Sequence, residues 1–187
     1  LSLGSVGVVL GPSLNQASKG CLHAHKTGIG AAKNAADALG RIARQSAVFV
    51  SRGDDSGTHK KERSLWQTAQ LKPAGSWYRE AGQGMGKVIQ MADELRGYTI
   101  ADRGTWIAYS NKTKLKLLFQ GDPVLFNPYG IISINPARYP DLNHAGSEAL
   151  IKWITSAQGQ KLIGSYKVAG FQLFTPSAHK VAELTDN

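Results

Sequence analysis

The chain has 187 residues, with 22 Lys and Arg against 13 Asp and Glu, a formal net charge of +9, and 42% apolar residues. That composition excludes a disordered tail, and the apolar runs are too short for a membrane-spanning helix. The single cysteine, Cys21, excludes an internal disulfide and a multi-cysteine zinc site, while the positive excess points to an anionic partner: nucleic acid, an acidic membrane surface or a small oxyanion.

In chain order, residues 1–10 are apolar but carry no basic start and no small-residue cleavage site, so they do not read as a signal peptide. Residues 6–10 read as a buried strand stopped by Gly11-Pro12. Residues 31–44 place Ala32, Ala35, Ala36, Leu39 and Ile42 on one helical face. Residues 47–50 read as a short buried strand, and 57–69 as a helix with Leu65, Trp66 and Ala69 toward the core. Residues 82–86 open a helix that runs to about Leu95. Tyr98 to Ile100 reads as a strand, 101–109 as a short helix, 114–119 as a strand and 129–134 as another. Two helices, 146–156 and 159–166, carry Leu150, Ile151, Trp153, Ile154, Leu162 and Ile163, and Trp153 falls at a core-like position. Strands alternating with helices predict α/β layers with at least partly parallel pairing.

The most informative stretch is 47–66: a buried strand, a tight polar loop, then an amphipathic helix. A helix N-terminus exposes unpaired N–H groups and a partial positive charge, which suits an anion. Ser56 and Thr58 add hydroxyl donors, Gly57 permits close backbone approach, and Arg52 brings a fixed fork of donors that Asp54 can orient. The competing expectation is structural: Ser56 or Thr58 as an ordinary N-cap, and Arg52 paired with Asp54 or Asp55 at the surface.

Other motifs carry less. Gly82-Gln83-Gly84-Met85-Gly86 fits neither a dinucleotide fingerprint nor a P-loop, and reads first as a glycine turn opening a helix. His23 and His25 could share a metal, but no carboxylate cluster completes the site, so no metal is expected. Asp55, Ser56 and His59 lie too close in sequence for a hydrolytic triad, and no catalytic residue is expected. Asp102 and Arg103 read as a structural pair. The basic residues are scattered and not interleaved with aromatics, which argues against nucleic acid.

Several long segments, in order and in register, resemble the tungstate-binding proteins of bacterial ABC importers, a type-II periplasmic solute-binding family. They are FVSRGDDSGTHKKE (49–62), LW (65–66), WYREAGQGMG (77–86), MADE (91–94), YTIADRGTW (98–106), GDPVLFNPYGII (121–132) and SAQGQKLI (156–163). The resemblance implies a two-lobed α/β fold with mixed sheets flanked by helices. It implies no enzyme activity and no cofactor, but a tungstate or molybdate ligand, an ABC permease partner, a monomer, and a periplasmic or otherwise extracytoplasmic location. It implies ligand contacts at Arg52, Ser56, Gly57 and Thr58, with Ser51, Asp54, Gly84 and Met85 as weaker or supporting positions, and a hinge at Asn127, Pro128 and Tyr129.

One departure from that family shapes the expected domains. The Thr/Ser-rich loop that opens the family, and supplies the other jaw of its clamp, has no counterpart here. Residues 6–126 are therefore expected to form the second lobe, and 128–187 a return crossing with only the C-terminal part of an incomplete first lobe. The alternatives are a truncated or sensory oxyanion-binding domain without a transport role, or a phosphate or sulfate binder.

Overall fold

The computed structural model describes residues 3–12, 27–168 and 170–178. The backbone divides into two compact units, one of residues 6–126 and one of residues 1–5 with 127–187. Cys21, His23 and His25 lie outside the described residues.

The 6–126 unit is built on a mixed sheet. Its central strand β1 (Leu3–Pro12) pairs antiparallel with β4 (Thr99–Asp102) on one side and β5 (Leu115–Phe119) on the other. β2 (Phe49–Ser51) pairs parallel with β3 (Tyr78–Glu80), and a parallel bridge from Phe49 to Tyr98 ties β2 to the start of β4. The side-chain period of two then sorts residues onto two faces. Val9, Phe49 and Ile100 join one core cluster; Val8, Leu10, Val50 and Ala101 join the other. Helices α1 (Ala35–Arg44) and α2 (Gly57–Thr68) cover the first face through Leu39, Ile42, Leu65 and Trp66. Helix α3 (Met85–Glu94) covers the second through Val88, Ile89 and Ala92. These are helix–sheet–helix layers, as the alternation of elements implies.

Helix α1 starts four residues later than its apolar period suggests. Asn34 takes the N-cap, its side chain accepting from the Asp37 N–H at 2.8 Å, and Asp122 accepts from the Ala35 N–H at 2.7 Å. Two side-chain acceptors at one N-terminus fix where it begins.

The 127–187 unit holds α5 (His144–Thr155), α6 (Ala157–Ser165) and a small hairpin of β7 (Lys167–Val168) with β8 (Phe171–Gln172). Helix α4 (Arg103–Tyr109) belongs to the first unit, and β6 (Phe126–Tyr129) begins at the division. Ser156 joins α5 to α6: its Oγ donates to the Trp153 carbonyl at 2.7 Å and accepts from the Gly159 N–H at 3.1 Å. Gln160 braces the turn, donating to the Ile154 carbonyl and accepting from the Ser177 and Ala178 N–H groups.

Two expectations fail in this unit. The strand expected over residues 129–134 is absent; the strand is Phe126–Tyr129, and 130–134 has no regular structure. The β-branched run there has no partner strand among the described residues, and Ile132 stands 89% exposed. Trp153, expected at a core-like position, is exposed, and the rest of the apolar face of α5 and α6 is open with it: Leu150 and Leu162 are exposed, and Ile151, Ile154 and Ile163 are half-buried. No residue of α5 is fully buried.

Candidate functional site

Parallel strands deliver their C-terminal ends to one edge. β2 runs into the 52–56 loop and α2, β3 into the 81–84 loop and α3, and β4 into α4. Three helix N-termini therefore open on the same side of the sheet, where open α/β sheets characteristically bind ligands.

The 52–56 loop is held by its own side chains. Arg52 donates through Nε to Asp54 Oδ2 at 2.9 Å, and its Nη2 contacts the same oxygen. The second carboxylate oxygen of Asp54 accepts from the Ser56 N–H at 3.2 Å. Burial would raise the Asp54 pKa, but hydrogen bonds from Ser56 and Arg52, with the Arg52 charge, outweigh it and hold the carboxyl at about 2. Asp54 is thus ionised and has both oxygens occupied. Arg52 keeps Nη1 without a bond among the described residues.

Ser56 is the N-cap of α2, its Oγ accepting from the His59 N–H at 3.3 Å. The Gly57 and Thr58 N–H groups are the first two of the helix and meet no acceptor among the described residues. Thr58 Oγ1 likewise makes no hydrogen bond there. A Cβ on Gly57 would meet nothing within 4 Å, so there is open space at its side-chain position. The capping expectation holds: the Ser56 hydroxyl closes the helix end, while two amides, the Thr58 hydroxyl and a guanidinium nitrogen meet no partner among the described residues.

Gly53 is a backbone requirement. Its φ is +60°, and a Cβ would sit 2.9 Å from Glu80 Cβ. That approach also brings Gly53 beside the Gly82 amide, so the 52–56 and 81–84 loops lie together. Gly84 caps α3 with backbone alone, whereas the Met85 side chain is buried in the core under α3, leaving only its backbone to serve the edge. Asp102 and Arg103 do not pair: Asp102 accepts from Thr105 N–H and Oγ1–H, each at 2.8 Å, and Arg103 donates to Gln120.

Beneath the loop, Ser51 and Trp66 join Glu62 and Tyr78 in a cluster whose links the sequence does not mark. Ser51, fully buried, accepts from the Gly53 N–H and donates to Glu62 Oε2 at 2.8 Å. Glu62 Oε1 accepts from Trp66 Nε1–H at 3.0 Å and from the Tyr78 hydroxyl at 2.8 Å. Burial pushes the Glu62 pKa up, against the pull of those three donors. Burial and the Glu62 charge raise that of Tyr78. From the same helix His59 Nδ1 accepts the Asp55 N–H at 3.0 Å, holding Asp55 at φ +60°. The available signal is positional: His59, Glu62, Leu65 and Trp66 fall on one face, so two titratable residues sit on an apolar stripe. Among the described residues no group of His, Cys, Asp and Glu could hold a metal.

Known proteins resemble this chain in sequence and in fold. A PBP superfamily domain model matches residues 20–158. The chain is 47% identical over 145 residues to the tungstate-binding protein TupA of Peptoclostridium acidaminophilum, covering 76% of this chain and 51% of that one. The structure of tungstate-binding TupA from Desulfovibrio alaskensis is 39% identical with a TM-score of 0.78, over 94% of this chain and 68% of that one. The tungstate ABC transporter from Geobacter sulfurreducens is 45% identical with a TM-score of 0.74, over 88% and 66%. The chain spans about half the length of the curated relatives it matches. It belongs to the PBP superfamily, in the type-II solute-binding family that holds the TupA proteins.

Proposed function

We infer that this chain binds a fully deprotonated tetrahedral oxyanion, tungstate with molybdate next, as part of the solute-binding component of an ABC import system. The observation that carries the reading is the pinned Arg52–Asp54 pair beside the Gly57 and Thr58 amides, which have no acceptor among the described residues. Arg52, Ser56, Gly57 and Thr58 form one jaw, with Asp54 and Ser51 behind it and the 81–84 loop beside it. Every free nitrogen there is a donor only, and the Thr58 hydroxyl can turn to donate. Tungstate presents acceptors only, whereas a protonated phosphate needs an acceptor for its own proton, and the Asp54 carboxylate already accepts three hydrogen bonds. Names of the relatives support the same ligand and a membrane permease as partner.

On this reading the protein is a carrier that does no chemistry, works outside the cytoplasm, and needs a second jaw. The open apolar face of α5 and α6 supports a first lobe that is incomplete in these 187 residues, with Asn127, Pro128 and Tyr129 at the return to it. Thermal unfolding with micromolar tungstate, molybdate, sulfate and phosphate tests the assignment, because a ligand that prefers the native state raises Tm. A rise with tungstate or molybdate alone is expected. Arg52→Ala should cut the affinity at least ~10-fold, about 1.4 kcal/mol; an unchanged affinity removes Arg52 from the site.

A further inference from the structure

A cleft of about 860 Å³ opens between α2, the 71–75 segment and β3, and none of Arg52, Ser56, Gly57 or Thr58 lines it. His59 sits in its wall with 8% of its side chain exposed. Because Nδ1 accepts the Asp55 N–H, the proton of the neutral ring is on Nε2. That Nε2 is buried and has no hydrogen-bond partner among the described residues; the Glu80 carboxylate, also in the wall, stands 4.0 Å away. A donor in this state needs an acceptor.

The rest of the wall describes that acceptor. Arg63 is paired with Asp55 at 3.8 Å, which leaves Lys60 and Lys72 against Glu80, the one acid in the wall, so the cleft is net positive. Trp66, Leu71 and Pro73 supply apolar surface, and the volume is that of sites for small organic molecules. We propose that this cleft is a second binding site, separate from the oxyanion loop, for a small organic carboxylate with an apolar body. With the exposed Glu80 side chain turned aside to uncover it, His59 Nε2–H donates to the carboxylate, Lys60 and Lys72 hold its charge at the rim, and its body lies on the Trp66–Leu71–Pro73 wall. The inference stands apart from the ligand assigned to the loop.

The probe is 2-naphthoate, with 2-naphthalenemethanol as its uncharged analogue, added to the full chain and followed by the imidazole nitrogen resonances and by calorimetry. The expected result is a saturable shift of the His59 signals with naphthoate and binding at least ~10-fold weaker for the alcohol. The exposed pair Lys60→Glu/Lys72→Glu should weaken naphthoate by a similar factor and leave the melting curve in place. Glu80→Gln should tighten it, because it removes the competing acid while keeping the shape. Equal binding of acid and alcohol, or heat of binding with no movement of the His59 signals, would show only adsorption to apolar surface and overturn the proposal. A His59 signal that moves with Glu80→Gln but never with naphthoate would also overturn it, by showing that Glu80 is the acceptor.

Discussion

The two units share one chain and a similar apolar content along their helices, yet they use it differently. In the 6–126 unit every strand contributes to one of two clusters, and α1, α2 and α3 each bury their apolar stripe. In the 127–187 unit α5 buries nothing completely, and among the described residues all of the large exposed apolar side chains except Leu71 and Val124 lie there. An amphipathic helix draws most of its stability from the surface it packs against. Periodicity in the sequence therefore specifies a face, while a partner surface decides whether that face is a core.

The largest way to test the contrast is amide hydrogen exchange on the whole chain. Amides of Val9, Leu39 and Ile89 should exchange at least ~100-fold more slowly than those of Ile151 and Ile163, since local opening ranges from nearly free up to the global unfolding free energy. Equal protection would mean that the second unit is as cooperative as the first. Paired truncations sharpen the same point. Leu39→Ala removes a fully buried side chain and should cost about 2–5 kcal/mol in denaturant melts. Leu150→Ala removes one that is 51% exposed and should stay within about 0.5 kcal/mol. If Leu150→Ala costs as much as Leu39→Ala, that face is covered in solution.

What the sequence made legible follows the same division. The β2–loop–α2 segment was readable because strand, loop and helix signals succeed one another over few residues. Helices α3, α5 and α6 were readable from their period. β3 escaped because Tyr78–Glu80 is half-buried to exposed and shows no apolar alternation; it is a strand only through its non-local pairing with β2. The 129–134 run failed in the opposite sense, with strand-like composition and no partner. Within the site, Arg52, Asp54 and Ser56 could be placed because their bonds span at most two residues or one helical turn. Glu62 could not, because its meaning comes from Tyr78, sixteen positions away, as well as from Ser51 and Trp66.

The smallest expected effect concerns the loop itself and separates its order from the core beneath it. Asp54 has a folded pKa of about 2 against an ordinary 3.8. Between these values the unfolded chain binds more protons than the folded one, so stability rises with pH through that window. The Asp54 contribution is thus fully present above about 4 and is lost as pH falls toward 2. Water screens a loop carboxylate, so the effect should be about 1 kcal/mol or less. Asp54→Asn should flatten the acid limb of the Tm-against-pH profile by that amount while Leu39 keeps its exchange protection. If the variant instead lowers protection across the core, Asp54 is a part of the fold and not only the clamp that aims Arg52.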